Sequence, residues 1–336
     1  MNTPVHPAVD AGAASVLIVV PTLNEAAHVG SLIDGLSGQL PSLNARVVVV
    51  DGGSIDGTCE IVQSRLSDRV SLLHNPRRLQ SAAVNLAVAE FAGDDTRWLI
   101  RLDAHARYPD DYCGILLEEA RAQDADSVVV SMVAAGKGFW QSAIALAQNS
   151  RFGNGGSSHR LAGSGHWVDH GHHALMRMDA FRSVGGYDPE FSHNEDAELD
   201  LRLRKAGYRI WLTGRTGLVY IPRSRPTALA IQYLRFGRGR ARTLLKHRAR
   251  PRARQAVVIA LAPALALGLL APWAPSLLAL PLLWLLACLA AGLAIAAPGR
   301  DWRGLPAGLL AGLMQASWSL GFWRELLGRA AGRVAP

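Results

Sequence analysis

Arg46-Val-Val-Val-Val-Asp51-Gly-Gly-Ser-Ile-Asp-Gly-Thr58 decides the fold: an apolar run ends in an acid, a glycine pair and a second acid. A buried strand ending this way puts carboxylates at the C-terminal edge of a sheet, where open α/β folds bind ligands. The design recurs in Ser15-Val-Leu-Ile-Val-Val-Pro-Thr-Leu-Asn-Glu25 and in Trp98-Leu-Ile-Arg-Leu-Asp-Ala-His105. Three strand ends with carboxylate or amide groups at one rim point to a nucleotide and metal site.

Outward from these strands, the first two hundred residues alternate between two patterns. Strands are expected at Val16–Val20, Val47–Val50, Val70–Leu73, Trp98–Leu102 and Ser127–Met132. Helices are expected at Glu25–Leu36, Gly57–Leu66, Gln80–Phe91 and Asp111–Ala122. This alternation predicts a mostly parallel sheet with helices on both faces and right-handed crossovers. The stretch Ala134–Asp169, rich in Gly, Ser and His, reads as loops around a short apolar helix at Phe139–Ala147. A strand at Gly171–Arg177 and an acid-rich helix at Asp196–Ala206 come next, then two short apolar pieces at Ile210–Leu212 and Leu218–Ile221.

The formal charge of +8 on 336 residues is segregated. Apart from Asp301 and Glu325, every acid lies at or before Asp200, whereas Leu201 to Arg254 holds sixteen Lys or Arg and no acid. A basic run alone would suit nucleic acid. The neighbouring segment excludes that reading: Ala256 to Gly299 contains no charged residue over 44 positions, too long and apolar for a soluble core helix. Cations just ahead of such a segment stay on the cytoplasmic side, against anionic headgroups.

The organisation expected is therefore a disordered stretch over 1–14, an α/β domain over 15–225, a basic amphipathic interfacial segment over 226–254, and membrane helices within 255–325. Spans are read at roughly 256–274 and 276–297. A weaker stretch at 305–323 either spans or lies re-entrant in the interface. Cys59, Cys113 and Cys288 have no paired spacing, which suggests neither a disulfide framework nor a zinc knuckle. Residues 1–15 lack a basic start and an apolar core, so no signal peptide is read and the α/β domain is expected in the cytoplasm.

At the rim, Asp103 and His105 are spaced to point the same way, since the strand period is two. A carboxylate with a second donor suits a divalent ion that keeps waters and holds a diphosphate; His105 either coordinates or only hydrogen-bonds Asp103 or a phosphate. Asp51 suits a base or ribose hydrogen bond, with Gly52 and Gly53 letting backbone approach a flat ligand, while Asp56 reads as turn chemistry. Thr22 and Asn24 either cap the next helix or meet a nucleotide, and Glu25 favours that helix's first turn. Arg77 and Arg78, ahead of a helix, suit a diphosphate or form a solvated pair. Glu195 and Asp196 open a helix where an acid can face a cleft and take a proton from a hydroxyl. Glu198 and Asp200 read as surface partners of Arg202 and Arg204. His159, His166, His170, His172 and His173 match no standard zinc spacing and read as acceptor or phosphate contacts.

In their order, Val-Val-Pro-Thr-Leu-Asn-Glu25, Asp51-Gly-Gly-Ser-Ile-Asp-Gly-Thr58, Asp103-Ala-His105 and Glu195-Asp196 resemble inverting glycosyltransferases of family 2, with the GT-A fold, over about residues 14–250. Arg78-Leu-Gln-Ser-Ala-Ala83, Arg101-Leu-Asp-Ala-His-Ala106 and Gln232-Tyr-Leu-Arg-Phe-Gly-Arg-Gly-Arg240 are similar to the ExoA-type subgroup, which acts in succinoglycan and other exopolysaccharide assembly. The resemblance implies that Pro21, Glu25, Asp51 and Asp103 bind the nucleotide of a UDP-sugar, glucose being the family-weighted donor; Thr22, Asn24, Gly52, Ser54 and Arg78 complete the expected nucleotide set. It implies Mg2+ or Mn2+ on Asp103; His105, the second candidate ligand, departs from the family, many of whose members carry a second Asp there. It implies Asp196 as catalytic base with Glu195 beside it.

A membrane anchor beside such a site points to a polyprenyl-diphosphate-linked saccharide as acceptor, with Gln232, Arg235 and Arg238 placed to meet it or its diphosphate. The implied enzyme is multi-pass in the cytoplasmic membrane and works among other exopolysaccharide assembly proteins. Two rivals stay open: a processive polysaccharide synthase, because Gln232-Tyr-Leu-Arg235-Phe236 is close to the Gln-x-x-Arg-Trp signature, and transfer to polyprenyl phosphate itself. A non-catalytic nucleotide-sensing scaffold is the rival from another class.

Overall fold

The computed structural model describes residues 15–155 and 164–331; the stretch expected to be disordered, 1–14, and His159 lie outside them. Among the described residues, eight strands form one sheet: β1 (Val16–Thr22), β2 (Ala45–Asp51), β3 (Val70–His74), β4 (Trp98–Arg101), β5 (Ser127–Ala134), β6 (His166–Val168), β7 (His172–Arg177) and β8 (Ile210–Tyr220). The helices that accompany them are α1 (Val29–Ser37), α2 (Thr58–Gln63), α3 (Gln80–Phe91), α4 (Tyr112–Ala122), α5 (Gly138–Asn149), α6 (Arg151–Asn154), α7 (Met178–Ser183), α8 (Glu195–Lys205), α9 (Pro226–Lys246), α10 (Ala253–Leu267), α11 (Ala279–Ala296) and α12 (Gly304–Ala330).

The sheet order is β3-β2-β1-β4-β7-β5-β8-β6. β1 pairs in parallel with β2 and β4, and β2 with β3. β7 runs antiparallel between β4 and β5, and β6 antiparallel to β8. The β1–β2 register sets Pro21 against Val50 and Thr22 against Asp51, so both strands stop at one level. Strands buried on both faces need continuous apolar runs, which is why Val16–Val20 and Val47–Val50 lack the alternation of a half-exposed strand.

The expected parallel sheet is thus present, with two reversed strands. The two short apolar pieces after α8 form the single strand β8, bridged through Thr213–Gly217. A Cβ at Gly217 would lie 2.8 Å from the Ser131 carbonyl oxygen, so β5 passes where only glycine fits.

Two compact units divide the chain. The first holds residues up to Met132 and again up to Val219; the second holds Val133 onward to the same break and then Tyr220 to the C-terminal end. In the first, α3 and β1, β2, β4 and β7 enclose a core that includes Val19, Val50, Val84, Leu99, Met176, Phe181 and Leu203. In the second, α5, α9 and α12 pack through Ile144, Leu229, Leu310, Ala311 and Met314.

Two stretches of the second unit, Ala253–Leu270 and Pro275–Ala296, are long and apolar enough to cross a membrane, and almost none of either is buried. α12, over the weaker stretch, instead lies along α9 at contact too close for side chains. A Cβ at Gly237 would overlap the Trp318 carbonyl oxygen, and one at Gly321 would overlap that of Leu234.

Candidate active site

The loops leaving β1 and β2 are laced together by hydrogen bonds. The Asn24 amide donates to Ser54 Oγ at 2.8 Å, and the Ile55 amide donates to Asn24 Oδ1 at 3.0 Å. The Glu25 amide donates to Thr58 Oγ1, and the Ala26 amide to Asp56 Oδ2. Asn24 therefore joins two loops and does not cap α1, which begins only at Val29. Asp56 also accepts from the Thr58 amide, the turn role read from sequence.

Asp51 is buried at the end of β2 and saturated from four directions. Its Oδ1 accepts from Thr22 Oγ1 and Ser54 Oγ, and its Oδ2 from the amides of Gly53 (2.7 Å) and Ser54 (2.9 Å). Burial works to raise its pKa, but the Ser54 and Gly53 hydrogen bonds outweigh it and leave the carboxyl below its usual value. This acid shapes the loop that the sequence reading offered to a ligand. Gly53, at φ +88, lies under Arg78, whose Nη2 would be 3.3 Å from a Cβ there. Asn24, Arg78 and Asn194 in these rim loops all hold left-handed backbone, φ 58, 56 and 68, uncommon for residues with a side chain.

β4 supplies the centre. Arg101 is the last residue of this otherwise apolar strand, its side chain 2% exposed. It grips Asp196 with Nη1 at 2.6 Å from Oδ1 and Nη2 at 3.2 Å from Oδ2. Its Nη1 also donates to the Tyr187 hydroxyl, which in turn donates to Asp196 Oδ1 at 3.1 Å. Its Nε lies 3.9 Å from Asp103 Oδ1. Asp103 accepts from Gln80 Nε2 at 2.9 Å. His172 stands between the two acids, Nε2 at 3.5 Å from Asp103 and Nδ1 at 3.7 Å from Asp196. Behind them His173 is fully buried, with Nδ1 2.8 Å from the Tyr187 hydroxyl and Nε2 2.6 Å from Asp200 Oδ1; His170 meets the other oxygen of Asp200 at 2.6 Å.

This network corrects two sequence expectations. Asp200 is buried beneath His170 and His173, not paired with Arg204 on the surface; Arg204 pairs with Asp169 instead. Glu198 does pair with Arg202 at 2.8 and 2.6 Å, but from a fully buried position. His173, sealed inside, is removed from any ligand contact.

The electrostatics separate the two acids that open α8. At Asp196, burial favours protonation, but Arg101, His173 and His172 overwhelm it and hold the carboxyl far below its usual range. At Glu195, burial and then the Asp196 charge push the pKa up to about 7, against the pull of Arg101. His172 is pushed down to about 4, chiefly by burial and against the attraction of Asp103. Asp103 stays lowered because Arg101, His172 and His105 outweigh its burial.

A divalent ion fits this donor set. Asp103 is an ionised, part-exposed acid, and His105 lies on the adjoining turn with Nδ1 2.9 Å from Glu25 Oε1, tying the β4 loop to the β1 loop. Among the described residues no three or more His, Cys, Asp or Glu cluster as a complete metal cage. A hard cation completed by diphosphate oxygens and water does not need one.

Pro21, Thr22, Asn24, Glu25, Asp51, Gly52, Ser54, Arg78, Asp103, His105, Glu195 and Asp196 all belong to the first unit. Gln232, Arg235 and Arg238 belong to the second. There, Gln232 Nε2 donates to the Tyr220 hydroxyl, and Arg238 Nε donates to buried Glu325 at 3.0 Å. Sequence reasoning missed Arg101, Tyr187 and the inward roles of His172 and His173. One signal was available: Arg101 interrupts an apolar strand two residues before Asp103, hence on the same face.

Comparison with known proteins identifies the family of the chain. A model of glycosyl transferase family 2 matches residues 17–185. The succinoglycan biosynthesis protein ExoA of Rhizobium meliloti (strain 1021) is 54% identical over 317 residues, 93% of this chain and 95% of that protein. The mannosyltransferase PcManGT of Pyrobaculum calidifontis, solved with GDP-Man and Mn2+, superposes with a TM-score of 0.57 at 22% identity, over 92% of this chain and 88% of its own; that likeness speaks for the fold alone.

Proposed function

The chain belongs to glycosyltransferase family 2, and on that premise we propose that it moves glucose, with inversion, from UDP-glucose to a polyprenyl-diphosphate-linked saccharide during assembly of a succinoglycan-type exopolysaccharide. It would do so from the cytoplasmic face of the membrane that α10 and α11 cross. The observation that carries the reading is the meeting of Asp103, Asp196 and Glu195 around Arg101 and His172, beside the laced loops of β1 and β2.

In this proposal Thr22, Asn24, Ser54 and Asp51 fix the loop shape that receives the nucleotide, and Arg78 over Gly53 meets the diphosphate. Asp103 and His105 hold a divalent ion, which when bound neutralises charge on the departing diphosphate. The roles of the α8 acids are divided by their surroundings. A general base needs a pKa near the working pH. Asp196 has both oxygens engaged by Arg101 and one also by Tyr187, so it orients Arg101 and holds the entrance of α8 in place. Glu195, raised to about 7, accepts the proton of the acceptor hydroxyl as that oxygen attacks the anomeric carbon from the face opposite the leaving diphosphate. This exchanges the roles that the family resemblance implied.

The test is UDP release from a panel of UDP-sugars by purified membranes, with and without Mn2+, together with product sizing. Release with UDP-glucose and a lipid-linked acceptor, one sugar added per acceptor and loss in Glu195→Gln, is the expected result. Full rate in Glu195→Gln would overturn the assignment of the base, and full rate in Asp196→Asn as well would overturn the whole reading.

A further inference from the structure

Phe139, Trp140 and Trp302 form an exposed aromatic cluster within the second unit that nothing in the transfer reaction uses. Phe139 stacks on Trp302 with ring centroids 5.0 Å apart and 22° between planes, and meets Trp140 edge-on, also at 5.0 Å. Exposure of the three is 37, 47 and 66%. Three large rings left open in contact with one another are not scattered surface apolars; a contiguous patch of this kind marks an interaction site.

We propose that this cluster is an interfacial lipid-binding surface, which seats the start of α5 at the headgroup level of the bilayer; it rests on the reading that α10 and α11 cross a membrane.

Three observations select lipid as the occupant. The first is continuity with the apolar spans: Trp302 lies in the turn after α11, whose Leu282, Leu283, Leu286, Leu289 and Leu293 are exposed along its length. The second is charge. Lys137 and Arg300 lie within three positions of the rings in sequence, while Arg303 is paired with Asp301; the two cations match the pairing of aromatic and cationic side chains that anionic headgroups attract. The third is spacing. Trp273, 81% exposed, lies just before the span Pro275–Ala296 and Trp302 just after it. The span's own 22 residues reach about 33 Å at about 1.5 Å each, close to the roughly 30 Å hydrocarbon core. Aromatic rings thus bracket one span at both of its interfaces. α5 is fixed to this level by its own packing, since Ala143, Ile144 and Ala147 are buried with α9 and α12.

The experiment places an environment-sensitive fluorescent amino acid at position 140, at 302, or at exposed Asp94 as control, in the full chain. The protein is reconstituted in phosphatidylethanolamine vesicles containing phosphatidylglycerol. Lipids carrying a nitroxide near the headgroup or near the chain end serve as quenchers, and iodide as the aqueous one. The expected result is quenching at 140 and 302 at least about threefold stronger from the shallow lipid than from the deep one, with position 94 quenched only by iodide. Positions 140 and 302 answering to iodide and to neither lipid would overturn the inference. Flotation of the same samples separates the two readings: protein that floats with position 140 unquenched removes this surface alone, whereas protein that stays at the bottom removes the membrane reading too.

Discussion

Removing the Arg101 guanidinium should cost the first unit more than any surface change, and the cost should be recoverable. Arg101→Leu leaves Asp196, whose side chain is 16% exposed, beside Asp103 with its main cation gone. Breaking a buried ion pair from one side costs about 3–5 kcal/mol, against a total stability of roughly 5–15 kcal/mol. At about 2–4 °C per kcal/mol for a unit of this size, the melting temperature should fall by roughly 6–20 °C. Without Arg101 the Asp196 pKa rises, so the deficit should shrink at acid pH, where the orphaned carboxylate takes up a proton. The double variant Arg101→Leu/Asp196→Leu removes both charges and should regain at least about 2 kcal/mol over the single, because a buried pair and its apolar replacement are nearly equivalent. Both variants should lack UDP release. Thermal unfolding of nanodisc-embedded protein supplies the cycle. A double variant destabilised by the sum of the two singles would refute the idea that this pair is one coupled unit.

Other outcomes are expected from the same geometry. The kcat/KM for UDP-sugar should rise with pH through a midpoint near the Glu195 value of about 7; Glu195→Gln should abolish that limb and lower the rate about 10²- to 10⁴-fold, measured by UDP release across pH. The His173–Asp200 pair has opposite signs at its two ends. Burial opposes charge at His173, but Asp200 and Asp196 raise its pKa, so its contribution is full below the unfolded value and lost as pH climbs through the folded one. Asp200, lowered by His173 and His170 against its burial, loses its contribution as pH falls through its folded value. The melting-temperature gap between wild type and His173→Leu should therefore narrow at both ends of a pH series. Gly321→Ala would drive a Cβ into the Leu234 carbonyl oxygen. Prying α9 from α12 should cost about 1–3 kcal/mol or more, visible as faster proteolysis of the second unit, while Gly299→Ala, with nothing within 4 Å, should be neutral.

Much of this was legible in the chain itself, for reasons that differ by element. β1, β2 and the start of β4 are runs of branched apolar residues terminated by acids, and local pattern is sufficient for them. α3 begins and ends where the sequence placed it, at Gln80 and Phe91. β6, α6 and α7 are three to six residues long, too short for any period to register. Asp103, Glu195 and Asp196 were legible as acids at element ends, yet their companions were not. Arg101 reaches Asp196 across 95 residues and Tyr187 across 86, and sequence spacing holds no trace of such a pairing. Asp200 shows the opposite failure. Charges spaced along a helix look like a solvated face, and only the packing of β7 against α8 turns that face inward.

β7 carries a consequence for how this site can change. Its neighbours end at the rim, whereas β7, running backwards, begins there, so His172 and His173 arrive at the head of a strand. A chain that delivers first residues to an edge built otherwise from last residues gains an independent point of variation. Lengthening or swapping the segment ahead of His172 changes what surrounds it at the rim without shifting any parallel register. On the proposed function, diversity in the acceptor is to be sought in that entry strand's approach, while the loops after β1 and β2, each knotted to the next, stay as they are.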